Sequence, residues 1–117
     1  MIIEIDGKEV ELKYTYNSFR YMEDLNVADI GNLENNPFKV IKINEILLLG
    51  ALNHNPKEVF GRDVVSKYLE ARMDDGTFFE VSEKLMELLE KSSFFQNLQG
   101  EQTEEEVQTK EEKVKKQ

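Results

Sequence analysis

The chain has 117 residues, no cysteine, and 24 acidic residues against 15 basic ones, which gives a net charge of −9. The length is that of one domain, and so acidic a body repels phosphate backbones, which argues against nucleic acid as a direct ligand. The lack of cysteine excludes a disulfide framework and thiolate chemistry. We expect a soluble cytoplasmic protein, because no signal peptide opens the chain and no apolar run approaches the ~20 residues that span a bilayer.

An N-terminal β-hairpin is predicted from two alternating runs. Apolar residues alternate with acidic ones over residues 3–6, and a second alternating run covers residues 9–14. Asp6-Gly7 lies between them and is the dipeptide that adopts positive φ in a two-residue turn. A first helix follows at about residues 17–25, with Thr15 or Asn17 as its cap.

The second predicted helix begins at Asn36-Pro37, because asparagine caps well and proline suits the first helical position, and it runs to about Asn53. Most of its apolar residues share a broad arc: Val40, Ile41, Ile43, Leu47, Leu48, Ala51 and Leu52. Ile46 and Leu49 instead fall among polar residues on the opposite side. A helix apolar nearly all round is either central to the fold or covered by a partner. The two residues are therefore either buried under the hairpin or part of a partner-binding surface, and in the second case Ile46→Asp or Leu49→Asp would weaken binding and leave the fold largely intact.

Two further helices are predicted, at about residues 62–73 and 78–92. Thr77 and Glu80 have the spacing of a capping box at the start of the last helix. Beyond it, Phe94 and Phe95 either fold back as a hydrophobic anchor or serve as a docking site. The fold class is thus α+β and mainly α, with a domain over residues 1–99 and a disordered, mixed-charge tail over residues 100–117.

Few residues suggest catalysis or a cofactor. His54, the only histidine, suits a turn at a helix end, and a zinc site would need three carboxylates beside it. Asp74 and Asp75 with Glu80 lack the spacing of a calcium loop. We therefore expect a non-catalytic protein without metal or cofactor. Two alternatives stay open: an acidic regulator that mimics nucleic acid, and an enzyme of unrecognised type that uses these three carboxylates with a metal.

The order of elements resembles a known family. A hairpin reading Ile-Ile-Glu-Ile-Asp-Gly-Lys-Glu-Val-Glu-Leu-Lys-Tyr leads into a segment over residues 16–23 that reads Tyr-Asn-Ser-Phe-Arg-Tyr-Met-Glu. An apolar helix ending Leu-Gly-Ala-Leu-Asn-His and a helical pair closing with Ser-Ser-Phe-Phe follow. Over about residues 1–95 the chain resembles the tail assembly chaperones of long-tailed, siphovirus-like bacteriophages and prophages of Gram-positive bacteria.

The resemblance implies a function in tail morphogenesis. Members of the family bind the tape measure protein and keep it soluble while tail tube protein assembles around it, in many phages through a longer frameshift product. It also implies a protein of the bacterial host cytoplasm that is absent from the mature virion. Helix-in-groove capture would use the surface between the second and fourth helices, and a homo-oligomer through the hairpin edge or the second helix is compatible with this pattern.

Overall fold

The computed structural model describes residues 1–25, 39–93 and 95–97, in which a β-hairpin precedes a set of helices. The elements are β1 (Ile2–Ile5), β2 (Lys8–Glu11), α1 (Tyr16–Arg20), α2 (Val40–Leu52), α3 (Arg62–Asp74) and α4 (Phe78–Glu90). This order confirms the predicted α+β class with an N-terminal hairpin. The predicted tail and the predicted cap at Asn36-Pro37 lie outside the described residues. Within the described part, no helix combines the length and apolar character needed to cross a membrane.

The hairpin forms where the alternating pattern predicts it. Asp6 and Gly7 have φ values of 54° and 79°, the positive pair that a two-residue type I′ turn requires. In the resulting antiparallel register Ile3 lies opposite Val10, and each of these two side chains is only 7% exposed. One face of the hairpin therefore closes over the core.

Thr15, one of the two residues predicted to cap α1, is its N-cap, but the helix is shorter than expected. The backbone N–H of Thr15 donates to Ser18 Oγ at 3.0 Å, and the N–H of Ser18 donates back to Thr15 Oγ1, which makes a capping box. The helix ends at Arg20 rather than near residue 25, and tighter i→i−3 hydrogen bonds continue the chain, from Met22 to Phe19 and from residue 25 to Met22.

Helix α2 is the centre of the fold. It contacts α1, α3 and α4, and several of its side chains are completely buried: Leu47, Leu48 and Ala51. Ile41 was predicted to share this apolar arc, but it is 50% exposed because it lies in the first turn, away from the middle of the helix. Helix α2 can therefore be apolar on nearly all sides, because three other helices pack against it.

A glycine allows α1 and α2 to approach closely. A Cβ atom at Gly50 would lie 2.2 Å from Met22 Sδ and 3.1 Å from the carbonyl oxygen of Ser18. Met22 is itself 5% exposed, so it occupies space that any larger residue at position 50 would need.

Asn53 fixes the loop that follows α2. Its side-chain Nδ2 donates to the carbonyl oxygens of Leu49 and Phe60, and its Oδ1 accepts from the N–H of Phe60 at 2.8 Å. Its own carbonyl oxygen accepts from Asn17 Nδ2 at 2.8 Å. One fully buried residue therefore joins the end of α2, the following loop and the start of α1, the first two through its side chain and the last through its backbone.

The turn between α3 and α4 corrects the predicted capping box. Thr77 is the N-cap of α4 but makes no side-chain cap hydrogen bond. Its hydroxyl instead donates to Asp75 Oδ1, which also accepts the N–H of Thr77 at 3.0 Å. Glu80 pairs with Lys84 at 3.9 Å along the helix, as its i,i+4 spacing predicts.

Candidate functional site

Three of the four residues predicted to bind a partner lie in the hydrophobic core. Ile46, Leu49 and Phe95 are each 7% exposed, and Phe94 lies outside the described residues. Ile46 and Leu49 are buried because α2 has neighbours on several sides, so its polar face in sequence is not a solvent face in the fold. Their burial argues against the expectation that Asp substitutions there would leave the fold largely intact, since an isolated buried carboxylate costs several kcal/mol.

Phe95 is an anchor in the fold. Its side chain belongs to the same core cluster as α2, and its backbone N–H donates to Ser92 Oγ at 3.3 Å. Of the two alternatives for this residue, the structure supports the one in which the chain folds back after α4.

The predicted groove between the second and fourth helices is filled by their own packing. Helix α4 contacts α2, and its inward residues Ser82, Leu85 and Leu89 are at most 5% exposed. A partner helix would have to separate these two helices to bind between them. Ile46 and Leu49 instead contribute, with Val65, the apolar lining of a charged-rimmed pocket of about 180 Å³, and Leu49 also lines a neighbouring groove beside Phe60.

A large open groove lies between the hairpin and α3. It has a volume of about 630 Å³ and is lined on one side by residues 4–7. On the other side lie residues of α3: Asp63, Val64, Lys67, Tyr68, Ala71 and Arg72. A second groove of about 460 Å³ continues from it along Met1–Glu4 towards the start of α4. Both are lined by Glu4, Tyr68 and Arg72, so together they follow the length of β1; we call this surface the hairpin groove.

One edge of the hairpin is covered by the rest of the protein. His54 Nε2 lies 3.0 Å from the carbonyl oxygen of Glu11 and donates to it, and Lys13 N–H donates to the carbonyl oxygen of Ala51 at 3.3 Å. Lys8 pairs with Glu58 at 3.3 Å on the same side. The end of α2 and its following loop therefore protect β2. His54 lies in the loop that follows α2, at the helix end where the sequence places it.

The other edge, on β1, is open. Residues that flank a two-residue turn form a hydrogen-bonded pair, and such pairs recur at every second residue of an antiparallel ladder. Ile3 and Ile5 therefore point their N–H and C=O groups at β2, and the hydrogen bond from Leu12 N–H to the carbonyl oxygen of Met1, at 2.8 Å, continues this series. The same alternation turns the N–H and C=O groups of Ile2 and Glu4 away from β2, and no hydrogen bond joins them to another described residue.

The electrostatics of the hairpin groove differ between its two sides. Arg72 pairs with Asp75 at 2.8 Å and lies 5.0 Å from the centre of the Tyr68 ring, so its charge is neutralised locally. Glu4 lies directly opposite Glu9 on the outer face of the hairpin, a like-charge pair that destabilises a sheet. Neither carboxylate has a lysine or arginine of the described residues within ion-pair distance.

The acidic turn proposed as an alternative metal site has a structural function. Hydrogen bonds from Thr77 and the guanidinium of Arg72 hold the pKa of the Asp75 carboxyl below its usual range. Among the described residues, no group of three or more His, Cys, Asp or Glu side chains is placed to hold a metal ion. Asp75 therefore joins α3 to α4 by accepting from both ends of the turn.

Comparison of the chain with protein-family models, with curated proteins and with solved structures found no match. The hairpin groove was not predicted from the sequence. The one available signal was that an isolated hairpin has two edges, but which edge is open depends on residues 51–58, which are distant in sequence.

Proposed function

We propose that this protein is a tail assembly chaperone of a long-tailed bacteriophage or prophage, a non-catalytic protein that binds polypeptide. Its ligand is the tape measure protein, and the tail tube protein is brought in through a longer product of the same gene. It acts in the cytoplasm of the bacterial host and is absent from the mature virion. The proposal extends the resemblance in element order, which the hairpin and the following helices support.

The hairpin groove is the observation that carries polypeptide binding. Its two parts share three lining residues and run along the whole of β1, which suits a length of chain better than a compact metabolite. It combines apolar residues of α3, such as Val64 and Tyr68, with charged residues at its rim. A mixed lining of this kind is typical of surfaces that bind other proteins reversibly.

The net charge of −9 supports the chaperone function. A tape measure protein is a long amphipathic helix that aggregates when its apolar face is bare. A strongly charged coat of bound chaperones would keep such a complex dispersed through mutual repulsion.

The direct test is co-expression with a tape measure protein, the long helical protein that the proposal names as the ligand. We expect this protein to move from the pellet to the supernatant and to co-elute with the chain in size-exclusion chromatography. An unchanged distribution would contradict the proposal. Recovery of a nuclease or polymerase in its place would favour the nucleic-acid mimic.

A pair of variants tests whether the hairpin groove is the surface used. Ala71→Trp would fill the groove from α3, whereas Glu70→Trp introduces the same side chain at the neighbouring exposed position, which does not line the groove. We expect only Ala71→Trp to lose the effect on the helical protein. If both variants keep the helical protein in solution as the wild-type chain does, the chaperone function stands. The surface that binds this protein would then lie outside the hairpin groove.

A further inference from the structure

We propose that the open edge of β1 binds an extended polypeptide segment as a third strand, with lysine or arginine side chains of that segment on the outer face of the hairpin beside Glu4. This inference rests on the proposed function, because it specifies how polypeptide binds in the hairpin groove. It names a conformation and a charge pattern for the ligand that the resemblance does not supply.

The backbone of β1 is prepared for strand addition. Ile2 and Glu4 each direct one donor and one acceptor into the groove, and the strand that carries them is already held in an extended conformation by β2. An unpaired strand edge is a template for pairing with another chain unless it is covered or blocked. At the end of β2, His54 donates to the carbonyl oxygen of Glu11, and Ala51 accepts the N–H of Lys13, whereas no described residue makes a hydrogen bond to the outward groups of Ile2 and Glu4 on β1.

The groove provides the space and the floor that a third strand needs. Side chains of an added strand alternate between two faces, and one set would point with Ile3 and Ile5 towards the interior. On that side the groove is lined by Val64, Tyr68 and Ala71 of α3. Apolar residues at every second position of the ligand would pack there, as in other β-augmentation complexes.

The acidic residues of the hairpin favour basic residues among the ligand side chains that lie on its outer face. Residues of an added strand on the outer face would lie next to Glu4, which repels Glu9 across the ladder and has no lysine or arginine of the described residues within ion-pair distance. Asp6 in the turn and Asp63 on α3 add negative charge to the groove, whose lining also holds Lys67 and the Asp75-paired Arg72. A lysine or arginine beside Glu4 would relieve the repulsion between the two glutamates.

The same charges argue against a second copy of this chain as the ligand. Pairing β1 with β1 of another copy would place Glu4, Glu9 and Glu11 of both molecules on one continuous face. Each molecule also carries a net charge of −9, which opposes close approach at low salt. The ligand is therefore a segment of a different protein, with apolar and basic residues in alternation.

The probe is a labelled octapeptide in which lysine and valine alternate, acetylated and amidated at its ends, titrated into the full chain by fluorescence anisotropy. We expect binding that weakens with added salt, and no binding of the glutamate–valine analogue. Equal binding of both peptides would overturn the charge pattern that we propose.

Backbone N-methylation tests the strand itself. The N–H groups of the lysines lie on one edge of the extended peptide and those of the valines on the other. Methylating the set that faces β1 removes its hydrogen bonds, whereas methylating the other set leaves them in place. We expect one methylated series to lose at least about tenfold in affinity and the other to bind like the parent peptide. Equal effects of the two series would overturn strand addition.

Protein variants locate the site and control for charge. Glu4→Lys reverses the charge at the edge, and Glu83→Lys makes the same change on the exposed surface of α4, outside the residues that line the groove. We expect Glu4→Lys to lower the affinity for the lysine–valine peptide about tenfold. We expect Glu83→Lys to change this affinity less than about twofold. Equal effects of the two variants would place the peptide elsewhere on the protein.

The outcomes separate this inference from the proposed function. If the helical partner protein is kept in solution but the octapeptide does not bind, the chaperone function stands and strand addition is overturned. If the octapeptide binds as described but the partner protein still precipitates, the edge is a polypeptide site and the tail chaperone function fails.

Discussion

Ile41 and Leu49 are apolar residues of the same helix with opposite surroundings. Ile41 is 50% exposed in the first turn of α2, whereas Leu49 is 7% exposed near its end. Residues of equal hydropathy on one helix therefore make very different contributions to stability, because burial and not composition determines the cost of replacing them.

At the residue scale we expect Leu49→Asp to destabilise the protein by at least about 3 kcal/mol, because it places an unpaired carboxylate in the core. Ile41→Asp is the matched control, and we expect its effect to stay within about 0.5 kcal/mol, since it is solvated and lies in a first helical turn where a negative charge is favourable. Urea unfolding followed by circular dichroism measures both. A native-like Leu49→Asp variant would return this residue to the candidate binding surface.

The turn between α3 and α4 shows how an element boundary depends on one carboxylate. Asp75 accepts from the backbone and hydroxyl of Thr77, and the guanidinium of Arg72 lies 2.8 Å from it. These interactions favour its charged form and lower its pKa. A group with a lowered pKa in the folded state stabilises the protein above its unfolded pKa, and this contribution is lost as the pH falls through the folded pKa.

At the element scale we expect Asp75→Asn to be less stable than the wild type at neutral pH, and we expect the difference to shrink below about pH 4. Thermal unfolding at a series of pH values measures it. Asp74→Asn is the control, because the Asp74 side chain is exposed and makes no hydrogen bond or ion pair in the described residues. A difference for Asp75→Asn that does not vary with pH would show that the charge of this carboxyl does not stabilise the turn.

Elements with strong local signals were predicted well from the sequence. The hairpin follows from Asp6-Gly7, whose backbone preference needs no distant contact. The end of α1 was predicted too late, and the capping box of α4 was wrong because Asp75 accepts the hydroxyl of Thr77 in its place. Propensity and spacing indicate that a helix forms, but they do not determine where it ends or which of several nearby side chains a cap residue bonds.

The candidate site was predicted less well than the fold. The sequence indicated a protein-binding surface on the polar side of α2, but the residues named there are core residues of a helix with three helical neighbours. The open edge of β1 became visible only when the contacts of β2 with His54 and Ala51 were known. Those contacts join residues about forty positions apart, which periodicity cannot report.

At the scale of the whole molecule, the net charge of −9 acts on stability and on binding in opposite directions. Mutual repulsion of the acidic groups favours the expanded unfolded chain, whereas the same groups attract a basic ligand. Salt screens both interactions, because the Debye length falls from about 30 Å at 10 mM to about 8 Å at 150 mM.

We therefore expect added sodium chloride to raise the thermal unfolding midpoint over this range. The same salt should weaken binding of the lysine–valine octapeptide. Differential scanning calorimetry and anisotropy measure the two effects on one preparation. Glu83→Lys, which lowers the net negative charge by two units, should give a smaller rise in the midpoint. A midpoint that falls with salt would show that specific ion pairs such as Lys8–Glu58 outweigh general repulsion.

The attachment of the hairpin to the end of α2 has a consequence for synthesis on the ribosome. Tyr14 donates its phenolic hydroxyl to the carbonyl oxygen of Leu47 at 2.8 Å, and Thr15 donates to the carbonyl oxygen of His54 at 2.9 Å. The hairpin therefore has no docking partner on the ribosome until α2 has been translated and has emerged. During that interval both hairpin edges are bare in the nascent chain, and the acidic side chains that flank them are its main protection against pairing with neighbouring polypeptides.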